Sequence, residues 1–212
     1  MTRIVAIDPV QPQSDRIAEA LEVLRGGGLV IYPTRCLYGL GGDATNPAAV
    51  EKVFDAKGRP KNQPVSVICG KDALIARIVE TVPPLAKRIM DRFWPGSVTI
   101  VMKANKTLPP LLTAGTGKIG VRRPAQAVAA ALAAALDRPI TATSANRTGR
   151  EGCHRVQDLT SDILACADLV LDAGELDGGV GSTVVDATGE EPLILREGGV
   201  ASEEIFAAAR GD

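Results

Sequence analysis

Short apolar runs and helical stretches follow one another through this chain in no regular alternation, and that irregularity restricts the fold more than any other feature. Residues 3–7 read as a first strand. Residues 14–25 carry Ile17, Leu21 and Leu24 at helical spacing and stop at Gly26-Gly27-Gly28. Leu29 to Tyr32 is an apolar run closed by Pro33, which predicts a buried strand running into a loop. Asn46 as N-cap, Pro47 at the first helical position and the stripe Val50, Val53, Phe54 predict a helix that Gly58 and Pro60 end. Further strands are expected at 65–69, 98–102, 119–121, 140–143, 169–171, 182–186 and 192–195, with helices at 74–79, 85–93 and 127–136. A doubly wound sheet needs stricter alternation, so the expected class is mixed α/β. The architecture is a twisted mixed sheet with flanking helices, in a single domain over residues 1–212.

Charge and composition narrow the function. The chain has 24 basic and 25 acidic side chains, so no whole-molecule field draws it to nucleic acid or anionic lipid, and any anion site is local. Aromatic residues are 3% of the chain, too few for a base-stacking platform. Cys36, Cys69, Cys153 and Cys166 lack CxxC spacing and His154 is the sole histidine, which argues against a zinc site and against disulfides. No apolar leader or eighteen-residue apolar run occurs, so the expected location is the cytoplasm, with no membrane partner.

The segment from Tyr32 to Gly41, Tyr-Pro-Thr-Arg-Cys-Leu-Tyr-Gly-Leu-Gly, combines a proline and glycines that let backbone approach a ligand with small donors at Thr34 and Cys36. Lys57-Gly58-Arg59-Pro60 places two cations at a helix end. There an arginine fork and a mobile lysine charge suit a triphosphate, although the same residues also suit ordinary helix termination. Ser144, Asn146 and Gly149 follow a strand, where hydroxyls and amides meet phosphate or ribose in open α/β sheets or simply cap turns. Arg122-Arg123 is a candidate carboxylate grip. No phosphate-loop, dinucleotide or serine-hydrolase motif is present, and His154 reads as an incidental surface residue.

Together and in this order these segments, with Pro64, Ser182-Thr183-Val184-Val185-Asp186 and Leu195-Arg196 before Gly198, resemble the YrdC-like family of threonylcarbamoyl-AMP synthases in its short form. The resemblance spans about residues 14 to 200. It implies a mixed α/β fold with a large basic cavity, in which L-threonine, bicarbonate and ATP with Mg²⁺ become threonylcarbamoyl-AMP and pyrophosphate. A downstream transferase would then use the product in tRNA modification. It assigns Lys57 and Arg59 to catalysis and, with Gln63, Lys118, Ser144, Asn146 and Arg196, to the nucleotide; Thr34, Cys36, Arg122, Ala142 and Ser182 form the threonine pocket. Positioning and electrostatic stabilisation, without a covalent nucleophile, are the expected catalytic devices.

This chain has Arg35 and Cys36 where many relatives carry Glu-Thr, Ile68 where some carry histidine, and Gly181 where some carry glutamate. A thiol donates more weakly than a hydroxyl. These exchanges keep two other readings open: a paralogue that adenylates another carbamate or acid, and a non-catalytic module contacting tRNA or double-stranded RNA.

Overall fold

The computed structural model describes residues 2–211. Its elements run β1 (Arg3–Ala6), α1 (Ser14–Arg25), β2 (Val30–Pro33), β3 (Tyr38–Gly41), α2 (Pro47–Lys57), β4 (Ser66–Ile68), α3 (Asp72–Ile78), α4 (Pro84–Phe93), β5 (Val98–Lys103) and α5 (Pro110–Thr113). They continue with β6 (Lys118–Arg122), α6 (Ala127–Leu136), β7 (Ile140–Ser144), α7 (Ser161–Cys166), β8 (Leu169–Asp172), β9 (Thr183–Asp186), β10 (Leu193–Arg196) and α8 (Ser202–Arg210). The strands form one sheet in the order β1-β8-β2-β3-β7-β4-β6-β5-β9-β10. Parallel pairs such as β4 with β6 sit beside antiparallel ones such as β3 with β7, so the sheet is mixed, as the irregular alternation predicts.

The capping logic of α2 holds in detail: Asn46 Oδ1 accepts from the backbone N–H groups of Ala48 and Ala49, and Pro47 opens the helix. One strand escapes the sequence. Tyr38–Gly41 reads as loop because two of its four residues are glycine, yet it is a fully buried strand paired with β2 and β7. The glycine has a packing reason: a Cβ on Gly41 would stand 2.7 Å from both the Tyr32 ring and Ile140. Helices α5, α7 and α8 are also not expected from the sequence; α8 buries only Ile205, Ala208 and Ala209, a stripe too short to stand out.

Side-chain alternation decides where a site can form. Val67, Ile100, Val121 and Val185 point to one face of the sheet, into a core with Ile75, Ile89 and Ile205 from α3, α4 and α8. The opposite face carries a second core where α1 and α6 cover β2 and β8, with Ile68 and Tyr32 inside it. Among the described residues, β5, β6 and β9 contribute nothing to that second core. Their outward positions therefore stay free of helix cover and form the floor of a cavity.

Candidate functional site

The floor is built from the residues that alternate with the core. Ser66 on β4, Thr99 on β5 and Val184 on β9 each lie one residue from a buried aliphatic neighbour and line a cavity of about 330 Å³. Gly120 keeps the floor low, because a Cβ there would meet Ser66 Oγ at 2.5 Å and Thr99 Cγ2 at 3.1 Å. The walls come from five connections. Thr34, Arg35 and Cys36 follow β2, Lys57 and Arg59 end α2, Ser144 and Asn146 leave β7, Ser182 precedes β9, and Arg196 ends β10.

Five cations, Arg35, Lys57, Arg59, Arg122 and Arg196, line this cavity, and among its lining residues there is no carboxylate. Such a surface is built for anions. Burial lowers the pKa of Arg122, Arg59 and Arg196, and mutual repulsion adds to the effect at Arg59 and Arg122. Among the described residues no side-chain acceptor pairs with Arg122, so its guanidinium stands ready for a ligand carboxylate or phosphate. A smaller cavity of about 270 Å³ adjoins it, sharing Thr34, Arg35, Ser97 and Arg122.

Arg196, Ser182, Arg59, Thr34 and Lys57 are held by the protein. Arg196 donates to Ser182 O at 2.6 Å and to Ser182 Oγ at 3.2 Å, while Ser182 Oγ and Thr99 Oγ1 are 2.7 Å apart. Arg59 donates from Nε to Gln63 O at 3.0 Å and from Nη2 to Pro64 O at 2.8 Å, bracing the loop after α2. Thr34 Oγ1 donates to Leu37 O at 2.6 Å. Lys57 corrects the picture of a mobile surface charge. It is only 2% exposed, and its Nζ donates to Ser144 O at 2.6 Å and Asn146 O at 2.7 Å. Burial, then the neighbouring Arg59, bring its pKa down to about 8.

Ten of the twelve residues that the resemblance assigns line the one cavity: Thr34, Cys36, Lys57, Arg59, Arg122, Ala142, Ser144, Asn146, Ser182 and Arg196. Two do not. Gln63 is exposed and offers only its backbone carbonyl to Arg59, and Lys118 sits at the other end of β6 from Arg122, paired with Asp186 at 2.7 Å. Four residues along a strand is about 13 Å, so Lys118 and Arg122 leave β6 well apart. Ile68 lies in the second core and does not touch the cavity, so the exchange of histidine for isoleucine there concerns packing. Ser66, Thr99 and Gly120 were missed. Their signal is a small or polar residue alternating inside β-branched runs, Val-Ser-Val, Val-Thr-Ile and Ile-Gly-Val.

The lining does not suit a protein-held divalent cation. No cluster of three metal-ligating side chains occurs among the described residues, and the cavity offers Mg²⁺ no carboxylate. No helix among them is long and apolar enough to cross a membrane.

Comparison with known proteins points in one direction. The Sua5, YciO and YrdC family profile, described as telomere recombination, matches residues 22–198. A threonylcarbamoyl-AMP synthase of Pyrococcus abyssi is 35% identical over 190 residues, covering 90% of this chain and 56% of that protein. The crystal structure of P. abyssi Sua5 complexed with L-threonine superposes with a TM-score of 0.92 at 34% identity, over 98% of this chain and 61% of that one. Escherichia coli YciO gives a TM-score of 0.87 at 29% identity, over 97% of this chain and all of that one. The chain spans 55 to 58% of the length of the first curated relatives it matches.

Proposed function

This chain belongs to the Sua5, YciO and YrdC family, and we propose that it is a threonylcarbamoyl-AMP synthase, joining L-threonine, bicarbonate and ATP with release of pyrophosphate. One observation carries the reading: a cavity lined by five cations and no carboxylate, in a chain whose relatives include a synthase and a structure with L-threonine. The threonine amine and bicarbonate condense to a carbamate with loss of water. A carbamate oxygen then attacks the α-phosphorus, and the bond to the bridging oxygen breaks as pyrophosphate leaves with its electron pair. Negative charge gathers on phosphate oxygens in that step, so guanidinium groups fixed around it lower the barrier without a covalent intermediate. Arg59 and Arg196 serve the nucleotide, and Arg122 takes the amino acid carboxylate, with Thr34, Cys36, Ala142 and Ser182 around it. Mg²⁺ supplies charge neutralisation when it accompanies ATP, but these residues do not hold it, and no step of this chain's chemistry is routed through it. The product suits a separate transferase acting on tRNA.

The deciding assay is pyrophosphate release with each substrate omitted in turn. Release that needs ATP, bicarbonate and threonine together is expected; release indifferent to threonine would sink the assignment. Arg35 and Cys36 favour a second reading, in which another amino acid replaces threonine, since Arg35 adds a cation at the wall shared by the two cavities. Running the same assay across amino acids separates the two.

Lys57 makes ATP binding pH-dependent. With a pKa of about 8 in the empty cavity it is half charged at pH 8, and a bound polyanion stabilises the ammonium and raises that value. ATP binding near pH 8 is therefore expected to take up about half a proton per site, fading below pH 7 where Lys57 is already charged. Calorimetry in buffers of different ionisation enthalpy measures this, and proton release in place of uptake would refute it.

A further inference from the structure

The reaction above brings three kinds of negative group together: the amino acid carboxylate, the phosphates, and the bicarbonate that becomes a carbamate. Arg122 answers the first, Arg59 and Arg196 the second, and the third has no cation of its own. Arg35 is unused. It lines both cavities where they meet, beside Arg122, and among the described residues its guanidinium has no acceptor. Its place is nevertheless fixed at both ends. Asp177 N donates to Arg35 O at 3.3 Å and Gly178 N to Cys36 O at 3.1 Å, which holds the backbone. At the tip, a Cβ on Gly199 would stand 2.6 Å from Arg35 Nη2. Gly199 has no positive φ, so its missing side chain has a spatial reason, the room that guanidinium takes. Gly199 N donates to Gly181 O at 2.9 Å, and a Cβ on Gly181 would stand 3.6 Å from Arg196 Nη2. Arg35 and Arg196 thus flank one pair of glycines, while Arg35 and Arg122 are near enough to repel one another.

The carbamate carbon is bonded to the amine on one side and, through oxygen, to the α-phosphorus on the other. A cation that serves it must therefore stand beside both Arg122 and Arg196, as Arg35 does. We propose that Arg35 binds bicarbonate, and then the carbamate made from it, at the junction of the two cavities. This rests on the reading of the larger cavity as a synthase site. When the neutral amine attacks bicarbonate, the C–N bond forms, the C–OH bond breaks, and the hydroxyl leaves as water with the amine proton. The carbamate keeps the single negative charge and the planar pair of oxygens that bicarbonate had, so one guanidinium fork fits both. That charge leaves with pyrophosphate only after the carbamate oxygen has bonded to phosphorus. Arg35 holds a reactant, and its effect belongs in bicarbonate affinity more than in turnover.

The test measures KM for bicarbonate, threonine and ATP in pyrophosphate release, in buffers freed of dissolved carbon dioxide, for the wild type, Arg35→Gln, Arg35→Lys, Gly199→Ala and the Arg35→Gln, Gly199→Ala double variant, each checked by thermal unfolding. Arg35→Gln is expected to raise KM for bicarbonate roughly tenfold, with KM for threonine and ATP changed less than about threefold and turnover largely restored by excess bicarbonate. Arg35→Lys, which keeps the charge without the fork, should recover part of that loss. Gly199 lines neither cavity, so Gly199→Ala acts by pushing the guanidinium aside and should give the same signature, about threefold. The double variant should be no worse than Arg35→Gln, since one residue acts through the other. Normal bicarbonate KM in Arg35→Gln overturns the proposal, as does a rise confined to threonine, which would make Arg35 a reader of the amino acid. Effects of the two single changes that multiply also overturn it. If Gly199→Ala does not fold, the two Arg35 variants decide. Wild-type release that does not need bicarbonate would overturn the synthase reading itself, and the proposal with it.

Discussion

Arg122→Gln is expected to cut threonine-dependent kcat/KM about a hundredfold while raising the thermal midpoint. The two effects have one cause. Arg122 closes β6 in a cavity wall with no acid among the lining residues, and burial lowers its pKa, the mark of a cation held without an internal partner. An uncompensated charge is a cost to the fold that a ligand carboxylate removes on binding. A charge-assisted pair shielded from water is worth about 1.5 to 3 kcal/mol, or roughly 10- to 150-fold, and glutamine cannot replace it. Removing the charge relieves the empty protein by about 1 kcal/mol, or about 2 to 4 °C for a chain of this size. Activity lost together with a fallen midpoint would mean that Arg122 is structural, and unchanged activity would remove it from the amino acid site.

What the sequence showed of this site follows from how each part is encoded. Proline, glycine and cation clusters at strand and helix ends are local signals, and they lead to Thr34, Arg59, Ser144 and Arg196, all in one cavity. The floor is encoded differently. Ser66, Thr99 and Gly120 look unremarked inside apolar runs, and become a floor only when β4, β6 and β5 lie side by side in register. That adjacency joins residues far apart in the chain, and no short window contains it. Lys57 and Lys118 show the same limit from the other side. Both are lysines in the right stretches of sequence, yet Lys118 is turned to Asp186 at the far end of its strand and Lys57 is tied to two carbonyls. Residue type gave the charge; only the fold gave its direction.

The strand Tyr38–Gly41 makes a related point about glycine. Its glycines argue against a strand by propensity, but the Tyr32 ring and Ile140 take the space a side chain would need. Pairing on both sides, with β2 and β7, supplies what propensity lacks. That pairing matters for the cavity, since β3 carries Ser144 on β7 beside Gly39 and so places the Ser144–Asn146 turn opposite Thr34.

Arg59→Ala should be the most damaging single change, lowering pyrophosphate release by about 10³-fold. Loss of one preorganised donor to a developing oxyanion costs about 10² to 10³ in kcat, and Arg59 also braces the loop that positions it through Gln63 O and Pro64 O. From sequence alone the residue reads only as a cation at a helix end. Its two bonds to backbone add to that reading: their loss should cost about 1 kcal/mol, or a fall of about 2 to 4 °C in the midpoint. The loss of activity is far larger than that fall explains, so the two effects separate in one experiment carried out well below the midpoint. The loss should appear in kcat more than in KM for ATP, because charge on the phosphates grows between ground and transition state. Arg59→Lys keeps the charge without the planar fork and should recover about one-tenth of wild-type activity at most. A variant that turns over normally, or whose deficit lies wholly in threonine affinity, would take Arg59 away from the phosphates.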